Sequence, residues 1–144
     1  KVLRLTRKKV PFERDYYLGD WKLNRVIVEK DLGILISHNL NWNEHIDFIT
    51  SKSHRMLNLL YRTCKEISDT QVNKSLYLSW VRSRLEYACQ VWSPYTKKNI
   101  SALEQVQRKA TRFIVGNELS YNERLKKLEL LPLVYTGEIL DLFL

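Results

Sequence analysis

The chain has 144 residues, 44% hydrophobic and 11% aromatic, with 24 Lys+Arg against 16 Asp+Glu for a formal net charge of +8. That length fits one compact domain or two small lobes, and the apolar content suffices for a buried core, which excludes global disorder. No apolar run approaches the ~20 residues of a bilayer span, no signal-peptide pattern opens the chain, and Cys64 and Cys89 are too few for a disulfide scaffold.

The first third of the sequence reads as β. Val2, Leu3 and Leu5 form a short apolar run, and Pro11 breaks the loop that follows. Tyr16-Tyr17-Leu18 and Trp21-Lys22-Leu23 flank Gly19-Asp20, a pair that tolerates the geometry of a hairpin turn. The β-branched Val26-Ile27-Val28 comes next. Lys30-Asp31-Leu32-Gly33-Ile34-Leu35-Ile36 is then expected to be a strand buried on both faces.

At Asn41 the pattern changes. Asn41-Trp42-Asn43-Glu44 has the spacing of a helix N-cap with a returning Glu. Ile46, Ile49, Met56, Leu57, Leu60 and Cys64 follow at helical intervals, with Lys52, Arg55 and Arg62 off the main stripe. Ser68-Asp69-Thr70-Gln71 opens a second helix with the apolar set Val72, Leu76, Trp80 or Val81, Leu85 and Ala88, ended by Ser93-Pro94. A third helix runs from about Lys98 to Val115. Its apolar face is Ile100, Leu103, Val106, Ala110, Phe113 and Ile114, and Gly116-Asn117 stops it. Ser120-Tyr121-Asn122-Glu123 caps a fourth, short helix carrying Leu125 and Leu128. Pro132 suits the first turn of a last helical segment through Ile139, Leu140 and Phe143. The expected fold class is α+β: a small β-sheet and hairpin lobe at 1–37, a three-helix bundle at 41–115 and a helical segment at 120–144.

The positive charge is unevenly placed. Residues 1–30 hold nine basic and four acidic side chains, and residues 91–120 hold five and two. Lys1, Arg4, Arg7, Lys8 and Lys9 open the chain with no acid among them. Such a cluster attracts polyanions by releasing condensed counterions, and it equally fits a solvated surface. Gln105, Arg108, Lys109 and Arg112 follow i, i+3, i+4, i+7 on the third helix and project in one direction, as a nucleic-acid contact or as a solvated face. Trp21 beside Lys22, next to the hairpin turn, suits the end of a nucleic acid. Trp42, Trp80 and Trp92 are expected in the core.

Catalytic chemistry finds little support. His38, His45, His54 and Cys64 are spaced too widely for the close ligand pairs of zinc sites, and His45 is expected to be solvated or to cap a helix. Cys64 and Cys89 fall in apolar stripes, as buried free thiols do. The glycines are isolated, so no phosphate loop is present, and nothing brings Asp15, Asp20 and Asp31 together as a two-metal site requires. The chain opens on Lys1 in a strand-like run and stops at Leu144 inside an apolar one, so it is expected to be a piece of a longer protein.

Several blocks then occur in a recognisable order. These are Lys30-Asp31-Leu32-Gly33-Ile34-Leu35, Asn41-Trp42-Asn43-Glu44-His45-Ile46, Val81-Arg82-Ser83-Arg84-Leu85-Glu86-Tyr87-Ala88, Val91-Trp92-Ser93-Pro94-Tyr95, and the run from Leu103-Glu104-Gln105 to Arg112-Phe113-Ile114. Together they resemble the region just after the polymerase core in reverse transcriptases of animal non-LTR (LINE, jockey-like) retrotransposons, over essentially the whole chain. The resemblance implies that residues 1–37 are the last strands of the palm, with the hairpin at 16–23 placed like a primer grip. Residues 41–115 would be the thumb and residues 120–144 the start of a connection, where Gly137 replaces a usual basic residue. The family's Tyr-x-Asp-Asp turn, with its catalytic aspartates, lies upstream of a segment like Lys1–Lys9 and is absent here.

The implied function is that part of an RNA-directed DNA polymerase which grips the template–primer duplex without reading its sequence. No catalytic residue, metal or cofactor is expected within this stretch, and no polymerase activity from it alone; Mg²⁺ is expected for the full enzyme. The implied partners are RNA, DNA and the upstream palm and fingers, with no membrane. The setting would be intracellular, with a nuclear site of action and a cytoplasmic ribonucleoprotein stage. Arg7, Lys8, Lys9, Trp21, Lys22, Arg108, Lys109 and Arg112 are the candidate nucleic-acid contacts. The alternative is a stand-alone, host-domesticated nucleic-acid-binding or protein-interaction module without polymerase activity.

Overall fold

A computed structural model describes residues 1–9 and 13–135. Pro11, Gly137, Ile139, Leu140 and Phe143 lie outside the described residues. The fold is α+β, with short strands at the N-terminal end followed by helices. The chain divides into two compact units, Lys1–His45 and Ile46–Leu144, the division falling within the first turn of a helix.

In the first unit, β1 (Val2–Leu3) runs parallel to β4 (Arg25–Val26), with Val2 opposite Arg25 and Leu3 opposite Val26. β2 (Tyr17–Leu18) and β3 (Trp21–Lys22) form the expected hairpin, with Gly19 at positive φ in the turn. That conformation is open to glycine because no Cβ clashes with the backbone. The run from Lys30 to Ile36 is not one doubly buried strand. It is a second hairpin, β5 (Val28–Asp31) against β6 (Ile34–Ser37), turning at Leu32-Gly33 with both residues at positive φ. Paired positive φ values match the right-handed twist of the flanking strands, and they leave Leu32 82% exposed. Among the described residues the strands make three two-stranded ladders instead of one sheet. His45 is also neither solvated nor capping a helix. It is buried, and its Nδ1 accepts the Leu35 amide of β6 at 3.2 Å.

Helix α1 (Asn43–Thr63) starts two residues after the expected cap, with the Asn41 carboxamide oxygen accepting the Asn43 amide at 2.9 Å. Its buried residues in the second unit include Ile46, Ile49, Leu57 and Leu60, with Cys64 just beyond its end. Asp69 caps α2 (Thr70–Tyr77) by accepting the Gln71 and Val72 amides. The second helix is not continuous. A π-helical turn spans Leu78–Arg82, α3 covers Ser83–Glu86, Ala88 is left-handed, and α4 covers Cys89–Trp92.

The buried side chains explain the irregularity. Asn73, Tyr77, Val81, Leu85 and Cys89 recur at strict four-residue spacing, which drifts off one face of a 3.6-residue helix. The wider π turn absorbs that drift. Val72 and Trp80, expected in the apolar set, are instead 42% and 50% exposed. At the break the Trp92 indole, itself buried, donates to the Tyr87 carbonyl at 2.8 Å and replaces a lost helical bond.

Thr96 caps α5 (Lys97–Val115), and Gly116 ends it at φ +98°. The Ser120–Glu123 capping box opens α6 (Tyr121–Leu128) as expected. α5 packs on α2 and on α6, and Leu103, Val106, Ala110, Ile114, Leu125 and Leu128 fill the contacts. Cys64 and Cys89 are both buried, and neither is in a disulfide.

Candidate nucleic-acid interface

The rotation of α5 about its axis decides which cations reach solvent. Its apolar residues Leu103, Val106, Ala110 and Ile114 are buried, and so are the polar Gln107 and Thr111. Gln107 is fully buried. Its Oε1 accepts the Tyr77 hydroxyl at 3.2 Å, and its Nε2 donates to the Leu131 carbonyl at 2.9 Å. Burial, the largest influence on the Tyr77 phenol, holds its pKa far above the ordinary value, so it stays a donor. Arg124, also buried, donates to the Thr111 hydroxyl at 3.3 Å and to the Leu119 carbonyl at 2.7 Å. These bonds fix α5 from two sides.

With that face committed inward, Gln105, Arg108, Lys109 and Arg112 are all exposed. None of the three cations joins an ion pair among the described residues. The Arg108 guanidinium lies over the Tyr121 ring, 4.2 Å from its centroid. The Tyr121 hydroxyl donates to Glu104, whose other oxygen accepts the Val134 amide at 3.2 Å. Burial first, and then the Glu104 carboxylate, push the Tyr121 pKa up. The ring is therefore neutral and anchored beneath Arg108, a cation–π arrangement.

Lys109 and Arg112 face a concavity of about 340 Å³, which Leu57, Asn58, Tyr61 and Asn117 also line. The Phe113 ring, part of the same wall, meets Tyr61 edge-on with centroids 5.5 Å apart. His54 senses this corner: burial, and then the Lys109 charge, hold its pKa below the ordinary value.

The candidates in the first unit differ in kind. Arg7, Lys8 and Lys9 are exposed and lie outside the strands, with the Lys8 amide bonded to the Thr6 hydroxyl at 3.1 Å. Trp21 stands on its hairpin 81% exposed. Lys22 is paired, its ammonium 2.8 Å from Asp15. That hydrogen bond raises the Lys22 pKa and lowers that of Asp15, so the hairpin's charge is balanced locally. Of the other tryptophans expected in the core, Trp92 is buried, Trp42 is half-buried and Trp80 is half exposed.

The sequence reading missed Asn58, Tyr61, Asn117 and Tyr121. Nothing in the linear pattern pairs Tyr61 with Lys109; only the packing of α1 beside α5 does. Two arginines in the basic count, Arg82 and Arg124, are buried, and Arg82 bonds Glu86 at 2.6 Å one helical turn away. Among the described residues no three His, Cys, Asp or Glu side chains are arranged to hold a metal ion.

No protein-family model matches the sequence, and no solved structure matches it. The chain is 27% identical over 99 residues to an uncharacterized protein of Caenorhabditis elegans, covering 66% of the chain. The matched region is 50% of that protein, so the chain spans about half the length of the relative it matches.

Proposed function

We propose that this chain is the duplex-holding part of an RNA-directed DNA polymerase of the non-LTR retrotransposon type, with α1 to α5 serving as its thumb. The observation that carries the reading is the outward row Arg108, Lys109 and Arg112, presented by a helix whose opposite face is locked by buried bonds. Cations at i, i+1 and i+4 on a rigid helix, in no ion pair among the described residues, grip phosphates and carry no sequence information. The ordered sequence blocks that resemble those reverse transcriptases add to the reading. Nucleotidyl transfer, and the Mg²⁺ it uses, would belong to upstream aspartates, and no step of it is assigned to residues 1–144. The upstream palm and fingers would be partners within the same polypeptide, acting in the nucleus.

The test is a salt titration of binding to a blunt RNA–DNA hybrid. Wild-type affinity should fall steeply with salt for hybrids of unrelated sequence. The triple variant R108E/K109E/R112E should bind more weakly and with a log–log slope shallower by about 2–3, three phosphate contacts having been lost. An unchanged slope removes the basic row from the interface. Val72 and Trp80, exposed on either side of the half-buried Leu76, favour a second reading, a stand-alone protein-interaction module, because they leave apolar side chains in solvent. A wild-type chain that binds no hybrid at low salt would move the weight to that reading.

A further inference from the structure

The concavity between α1 and α5 has a composition that a phosphate grip does not need. Tyr61 is 51% exposed, yet its ring is fixed by edge-on contact with Phe113, so an aromatic surface is both open and pre-positioned. Asn58 and Asn117 bring carboxamides, which donate and accept and so can meet the edge of any base. Lys109 and Arg112 supply two cations, and none of the described lining residues is acidic. The volume, about 340 Å³, is at the small end of ligand sites, which run roughly 300–1,000 Å³. A stacking face, adaptable hydrogen-bond groups and cations within one small hollow match a base with its phosphates. Bases in a duplex are already stacked and paired, so the occupant is an unpaired one.

We propose that this hollow seats one unpaired nucleotide of a nucleic-acid strand, its base on Tyr61 and its phosphates on Lys109 and Arg112. The inference rests on the nucleic-acid reading above and extends it from the duplex to the single strand that leaves it. The experiment compares a blunt RNA–DNA hybrid with the same hybrid carrying a short unpaired extension, in ribo- and deoxyribonucleotide forms, and with a free single strand.

Wild type should prefer at least one extended form by about tenfold, the order that one base–aromatic stack supplies. The preference should vanish in Tyr61→Ala and survive in Tyr61→Phe, which keeps the ring and guards against a folding defect. Equal binding of blunt and extended hybrids by the wild type overturns the inference and leaves the duplex reading standing. Retention of the preference in Tyr61→Ala overturns it as well. Tyr61-dependent binding of the free strand without binding of the blunt hybrid does the reverse, supporting the hollow and refuting the duplex grip. Equal displacement by a poly-Glu peptide of matched charge would also overturn it, because a carboxylate chain offers Tyr61 nothing to stack on.

Discussion

Replacing Gln107 with leucine tests whether buried polar bonds orient the basic row. The substitution keeps the approximate volume and removes two bonds at once, the one from the Tyr77 hydroxyl and the one to the Leu131 carbonyl. The Tyr77 hydroxyl sits in the interior, so leaving it unpaired costs about 2 kcal/mol. Leu131 lies near the surface, where water can reach its carbonyl, and its share is about 1 kcal/mol. Burying an apolar side chain in place of the amide recovers about 1 kcal/mol. The expected net loss is about 2 kcal/mol, or about 1 M in the urea midpoint at a typical denaturant dependence. Far-UV circular dichroism follows it, since all the described helices but the first turn of α1 lie in the second unit. Tyr77→Phe alone should cost about 1 kcal/mol by orphaning the Gln107 oxygen. The double variant sets phenylalanine against leucine with neither group stranded, so it should lose about 1–2 kcal/mol less than the sum of the two. Strict additivity, or a Gln107→Leu loss below about 0.5 kcal/mol, would refute the claim that this contact helps to hold α5.

Two further outcomes follow from the histidines. Burial depresses the His45 pKa below its ordinary 6.5, and the neutral ring accepts the Leu35 amide, so the unfolded state takes up the proton first. The contribution of the neutral His45 to the first unit's stability should be complete above pH 6.5 and be lost as pH falls from there through the lowered folded-state value. Leu35 amide-exchange protection, corrected for the intrinsic rate, should drop over the same range; constant protection from about pH 8 to 5 would contradict this. Lys109→Met should raise the His54 pKa part of the way back in an NMR titration, because burial, the larger cause, is left in place. An unmoved His54 would show that the Lys109 charge does not reach it.

Much of the local structure was legible without coordinates. The Gly19-Asp20 hairpin, the Ser120–Glu123 capping box and the stop at Gly116 each depend on residues within one turn, so near neighbours suffice to specify them. The second helix was not legible in this way. Its apolar residues suit a regular period, but the buried column from Asn73 to Cys89 includes Tyr77, whose hydroxyl meets Gln107 thirty residues away, and a π turn interrupts the helix along it. Leu32-Gly33 misled for a related reason: hydrophobicity pointed to a buried strand where Gly33 permits a turn. His45 escaped because its partner, the Leu35 amide, is ten residues away across a change from strand to helix.

The sequence alone determined the α+β order, the Ser120–Glu123 capping box and the spacing that lets Arg108, Lys109 and Arg112 project together. All of these are set by short-range backbone geometry. Only the tertiary structure decided that this row faces outward, because Gln107 and Thr111, polar residues a hydrophobicity pattern would leave in solvent, are held inside by partners on other segments. It alone also brought Tyr61 beside Lys109 and Arg112 and, among the described residues, spared those two from ion pairing, while Lys22 found Asp15. Charge is a property of composition, whereas its availability depends on which side chains the packing brings within reach.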